Sequence, residues 1–215
     1  MQTNPKIIFK PITLEENIKI IQNFYFGEGE KSEIHNLLCE YFPELHDIHK
    51  NISKEEISTK ISAIITNYYT SNSQNIREAC KKYSAIWNKY NDIYFKKLAN
   101  YLNINWPINI NEITCYVGML PFFPRDIDNY TFYINPYLNE EKLTEVCAHE
   151  TLHFLWFTKW KTLYPEISKT EYESPFLAWQ YSEMVTDPIL NNSEFQTIFN
   201  FTEKSYLEFY KLQKN

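Results

Sequence analysis

The sequence predicts a predominantly helical α+β fold in which a small sheet lies beside one long buried helix and a helical lobe precedes both. Three patterns carry that expectation. Before residue 106, apolar side chains recur at helical spacing over Leu14–Phe26, Lys31–Tyr41, Lys54–Tyr69 and Gln74–Leu102. Two runs rich in β-branched and aromatic residues follow, Ile113–Leu120 and Tyr130–Leu138, split by the turn-forming stretch PFFPRDIDN. A proline-free segment from Glu140 to Lys161 comes next. With 44% hydrophobic and 17% aromatic residues and only three glycines, the chain has the material for a packed core and lacks the signature of disorder.

Taken in order, Ile7–Ile12 reads as a short edge strand, because Pro11 cannot donate to a ladder. The four helical patterns follow, the last of them unusually long. They make residues 1–106 a mainly helical lobe, joined through Pro107 to a compact α+β core at residues 107–215. No Gly/Ser-rich linker or internal repeat separates the two, so the pattern is equally compatible with a single domain. In the second part, Asn139 can cap the helix Glu140–Lys161. Glu140 and Glu141 suit its first turn and Lys159 and Lys161 its end, where the backbone dipole favours those charges. Helical spacing returns in Leu177–Leu190 and in Asn192–Leu212.

The Glu140–Lys161 segment contains one HExxH, His149 to His153. Residues four apart stack on one helical face, so both imidazoles can reach one metal ion, while Glu150 is rotated by roughly 100° and lies beside the ion's open position. Neutral imidazoles hold Zn2+ and leave room for a water, whose proton a neighbouring glutamate can take. With five histidines in 215 residues, such a motif is expected by chance on the order of 0.01 times. The plainer alternative is a pair of partnered histidines on a half-buried face, but the uncharged flanks fit a helix buried behind a metal site.

Two histidines and a water leave one protein ligand to find. The metzincin pattern needs glycine and histidine where this chain has Trp156 and Lys159, and no histidine follows His153. A downstream carboxylate is required: Glu166, Glu171, Glu173, Glu183, Asp187, Glu194, Glu203 or Glu208. Glu183 stands out, since it sits in a weakly charged helical pattern with Asp187 one turn later. Glu183 could ligate while Asp187 accepts a hydrogen bond from the far nitrogen of a ligand histidine, although Pro188 disfavours helix at Asp187.

These residues resemble the gluzincin zinc metallopeptidases, the thermolysin-like type, over roughly Tyr116–Leu190. The resemblance implies a zincin-like core, His149, His153 and Glu183 as zinc ligands, Glu150 as general base, and peptide or protein substrates. Ser182 stands where an asparagine would precede the glutamate, and no glycine-rich exopeptidase signature precedes the motif, so neither a named peptidase family nor aminopeptidase specificity follows. In zincins a strand like those before the helix borders the cleft and can pair with an extended substrate. Tyr206 and Tyr210 are plausible oxyanion donors among seventeen tyrosines, which leaves that role open.

Two other function classes remain in view: a catalytically silent binding module on the same fold, and a metal hydrolase acting on a non-peptide amide or ester. A net charge of −6 gives no footprint for nucleic acid or an anionic membrane surface. The start has no apolar signal core and no stretch approaches a membrane span, so a cytoplasmic protein is expected. Cys39, Cys80, Cys115 and Cys147 lack CxxC spacing and are expected to be reduced thiols. A second histidine group, His35, His46 and His49 with Glu44 and Asp47, reads as a solvated helix start or loop.

Overall fold

Residues 4–27, 31–48 and 52–204 are described by a computed structural model. The fold is α+β and mostly helical. Four strands, β1 (Lys6–Pro11), β2 (Glu112–Val117), β3 (Arg125–Asp126) and β4 (Thr131–Ile134), form one sheet in the order β1-β2-β4-β3. β1 and β4 flank β2 in parallel, with Ile7 opposite Ile113 and Cys115 opposite Phe132, and β3 closes antiparallel on β4. The expected edge strand is therefore present at β1, with Pro11 as its last residue. A parallel partner needs a crossover, and here the crossover is the whole run of N-terminal helices. Gly118 follows β2 where a Cβ would lie 2.4 Å from Ile12 Cγ2 and 2.7 Å from Asn17 Oδ1, so only glycine permits this approach of the chain.

The crossover contains α1 (Leu14–Tyr25), α2 (Lys31–Tyr41), α3 (Lys54–Ser71), α4 (Ser73–Trp87) and α5 (Asn91–Leu102). Local signals set several ends: Thr13 caps α1, and Ser53 and Glu56 form a reciprocal capping box on α3. The single long helix expected over Gln74–Leu102 is in fact two. The turn between them puts the buried Asn91 against the start of β1, where its Oδ1 accepts from Trp87 Nε1 (3.0 Å) and Ile7 N (3.3 Å) and its Nδ2 donates to the Pro5 carbonyl (3.0 Å). A side chain with three well-placed partners offsets the backbone bonds the break forfeits.

α6 (Glu140–Leu163) is the central element. Asn139 accepts from Lys142 N at 2.8 Å, as its cap position predicts. From Leu143 to Phe157 the helix is buried on nearly every face, packed on α4 and α5 and on the two short helices α7 (Leu177–Met184) and α8 (Thr186–Leu190). Tyr94 Oη donates to the Ala148 carbonyl at 2.6 Å and pins α5 to α6 one residue before the HExxH. Leu177–Leu190 thus holds two helices, broken at Val185. Of the expected helix Asn192–Leu212, the described residues hold only α9 (Ser193–Gln196), followed by a turn and irregular chain to Lys204; residues 205–215 lie outside the described residues.

One apolar cluster runs from Ile7 through Trp87, Phe132 and Leu152 to Phe201, so the core crosses residue 106 without a break. Cys39, Cys80, Cys115 and Cys147 are buried and free within it. Among the described residues no helix is long and apolar enough to cross a membrane.

Candidate metal centre

α6 presents His149 and His153 one turn apart, and α7 brings Glu183 to them across the reversing loop. His149 Nε2 and His153 Nε2 are 2.9 Å apart, and the two oxygens of Glu183 lie 3.4 Å from one or the other nitrogen. One donor atom from each of the three residues falls within 4.8 Å of the others, the only such group of His, Cys, Asp or Glu among the described residues. His153 and Glu183 are buried, and His149, with 21% of its side chain exposed, marks the open side. Glu150 stands beside them, itself 5% exposed, with Oε2 lacking any hydrogen-bond partner.

Two further residues complete the cluster. Arg125, on β3, donates from Nη2 to Glu183 Oε1 at 3.2 Å and places Nη1 3.8 Å from Glu150 Oε2. Glu203 puts Oε1 3.2 Å from His149 Nδ1. With Nδ1 donating to that carboxylate, Nε2 is left as the acceptor, the tautomer a metal needs.

Asp187 was expected at that far nitrogen, and the structure puts Glu203 there instead. Asp187 lies in α8, beyond the end of α7, and its Oδ1 accepts from Asn191 Nδ2 at 2.6 Å. Asn191 in turn grips Glu203 at both backbone groups: its Nδ2 donates to the carbonyl and its Oδ1 accepts from the amide, each at 2.9 Å. Asp187 therefore acts at one remove, holding the asparagine that holds the glutamate. Replacing Glu203 by Gln should weaken zinc binding roughly 10- to 100-fold, and Asp187→Asn should cost less. Competition with a chromophoric chelator measures both. An unchanged Glu203→Gln beside a weakened Asp187→Asn would return the orienting role to Asp187.

The electrostatics describe a site short of positive charge. Glu150, Glu183 and Glu203 are three buried carboxylates and Arg125, beside the first two, is the one guanidinium paired with the group, which leaves a formal charge of −2 when both imidazoles are neutral. Without a cation, protons must make up the difference. Burial opposes charge on His149, but its hydrogen bonds to Glu183 and Glu203 outweigh that and hold its pKa well above the ordinary value. Burial and the nearby Arg125 push His153 well below it. Burial drives Glu150 up to about 7 against the pull of His149 and Arg125. Burial alone would also raise Glu183, yet the imidazoles and Arg125 hold it below the ordinary carboxylate range. A convergent N, N, O donor set with a deficit of two positive charges fits a divalent cation, and zinc accepts those ligands.

Sequence reasoning missed Arg125 and, as an orienting residue, Glu203. Arg125 had a faint signal: it is one of only two arginines among 21 basic residues, placed beside two strands. Glu203 had none, because a nonlocal asparagine clamp brings it in. Among the described residues the other histidine group forms no metal cluster: Glu44 accepts from Tyr68 Oη (2.9 Å) and His35 Nε2 faces Cys39 Sγ (3.7 Å), while His49 lies outside the described residues. So do Tyr206 and Tyr210. No family model, curated protein or solved structure matches the chain.

Proposed function

We propose that this chain is a zinc-dependent hydrolase of the gluzincin type, a metallopeptidase with a zincin-like core. The observation that carries the reading is the convergence of His149, His153 and Glu183 with the buried carboxylate of Glu150 at their side. In it His149, His153 and Glu183 hold the ion. When bound, zinc supplies a Lewis acid for the scissile carbonyl and acidifies a water to near neutrality. Glu150 takes the proton of the attacking water and passes it to the leaving amine, a role suited to a buried carboxylate standing at the side of the three donors. Glu203 keeps His149 in the ligating tautomer.

A peptide substrate is supported by the sheet, with a change in which strand serves. β2 and β4 have neighbours on both sides and cannot accept another strand. β3 is paired only on its β4 side, and it is the strand from which Arg125 reaches the site. An extended backbone can add to its outer edge. The test is digestion of a diverse peptide library by the zinc-loaded chain, with products read by mass spectrometry. Cleavage at internal bonds is expected. A zinc-loaded chain that cleaves no peptide would end the peptidase reading and move the search to amides, esters or a binding partner.

A further inference from the structure

We propose that Arg125 is a positioning residue that makes Glu183 a one-oxygen ligand and thereby keeps a coordination position open next to Glu150. The proposal rests on the metal-hydrolase reading and adds to it a residue that the HExxH pattern does not specify.

A glutamate facing a metal can ligate through one oxygen or through both. With two imidazoles already in place, the second mode would fill the position that a hydrolytic site must leave for water. In this chain one oxygen of Glu183, Oε1, accepts the Arg125 Nη2 hydrogen bond at 3.2 Å. Each oxygen lies 3.4 Å from an imidazole nitrogen, Oε1 from His153 Nε2 and Oε2 from His149 Nε2, so the guanidinium on Oε1 is what distinguishes the two. A guanidinium is suited to this because its fork is planar and rigid. The same group that occupies Glu183 Oε1 lies 3.8 Å from Glu150 Oε2. One cation thus sets the spacing between the ligand carboxylate and the base.

Burial makes the arrangement hold. Arg125, Glu183 and Glu150 expose only 12%, 4% and 7% of their side chains, so little water competes for their hydrogen bonds. Arg125 is also fixed from behind. β3 pairs with β4 at Arg125–Phe132, and the Asp126 carboxylate closes the following turn on the amides of Asp128 and Asn129. The edge strand is only two residues long, yet this turn gives it a set direction.

Cobalt(II) in place of zinc provides a readout independent of turnover, since its visible absorption is strong in four-coordinate sites and weak at higher coordination. The parent chain, Arg125→Gln and Arg125→Lys are each loaded with cobalt. The parent is expected to bind one cobalt per chain with strong absorption. Arg125→Gln should still bind cobalt but lose absorption intensity per ion as Glu183 releases its second oxygen to the metal, and zinc-supported turnover should fall roughly 10- to 100-fold. Arg125→Lys keeps the charge without the fork, so it should fold like the parent and show the same direction of change. It carries the test if Arg125→Gln does not fold. Parent-like absorption in a folded, cobalt-bound variant would overturn the role of Arg125 and leave the metal site standing. A parent that binds no cobalt would overturn the metal-hydrolase reading itself.

Discussion

Glu150→Gln is expected to retain one zinc per chain and to lose turnover by about 10²- to 10⁴-fold, the usual contribution of a general base. The expectation follows from what the substitution changes and what it leaves. Gln has the volume of Glu, so the buried space beside α6 stays filled. His149, His153 and Glu183 are untouched, and the group removed is not one of the three converging donors. What goes is the ability to accept a proton. Because the cluster carries excess negative charge, a neutral side chain here should not cost the fold, and Arg125 keeps its hydrogen bond to Glu183. Zinc content and kcat/KM measured on the same preparation decide the matter. Hydrolysis near the parent rate would show that another group takes the water's proton, and the mechanism would fail.

The parts of the site legible in the sequence are those that a single helix encodes. His149, Glu150 and His153 are related by helical spacing alone, and a capped, proline-free segment guarantees the spacing. Glu183 could be chosen because it lies in a second, weakly charged helical pattern. Asp187 was misplaced by the same logic carried one turn too far: periodicity does not announce that the helix breaks at Val185. Arg125 and Glu203 were unreadable as a pair because tertiary pairing places each of them. β3 depends on β4 for its register, and Glu203 depends on Asn191. Residues brought in by long-range hydrogen bonds leave no periodic trace.

The fold shows the same division. Helices with strong caps, such as α1, α3 and α6, begin where Thr13, Ser53 and Asn139 say they should. The long pattern Gln74–Leu102 is continuous in its apolar spacing, yet the helix parts between Trp87 and Asn91 because Asn91 serves β1, a strand far away in sequence. β3 was hidden in a turn-rich stretch, since two residues are too few to alternate. The Asn192–Leu212 pattern is overridden after Gln196, where the chain turns back so that Phe199 packs on Trp87, Tyr90 and Tyr94 and Glu203 reaches His149. Local propensity yields to aromatic burial of that size.

Glu183→Ala is expected to abolish stoichiometric zinc binding, and with it the response of thermal stability to zinc. In the parent, an ion that binds only the folded chain adds stability as free zinc rises, about 2.7 kcal/mol at a hundredfold excess over Kd. The variant keeps two imidazoles at 2.9 Å but loses the carboxylate that, alone among the described residues, faces both. It also strips Arg125 of its hydrogen bond and leaves a guanidinium, 12% exposed, with Glu150 as its remaining ion-pair partner. A buried cation so exposed to loss of partners destabilises the metal-free fold, so Glu183→Gln belongs beside the alanine variant: it preserves volume, and a neutral amide is a poor zinc ligand. Zinc per chain after dialysis, together with melting with and without added zinc, separates the outcomes. Zinc in the parent alone places the third ligand at Glu183. Zinc in both would shift it to another acid, with Glu203 the nearest alternative. Zinc in neither, after reconstitution, would leave the three donors as a buried hydrogen-bonded cluster and bring the binding-module reading forward.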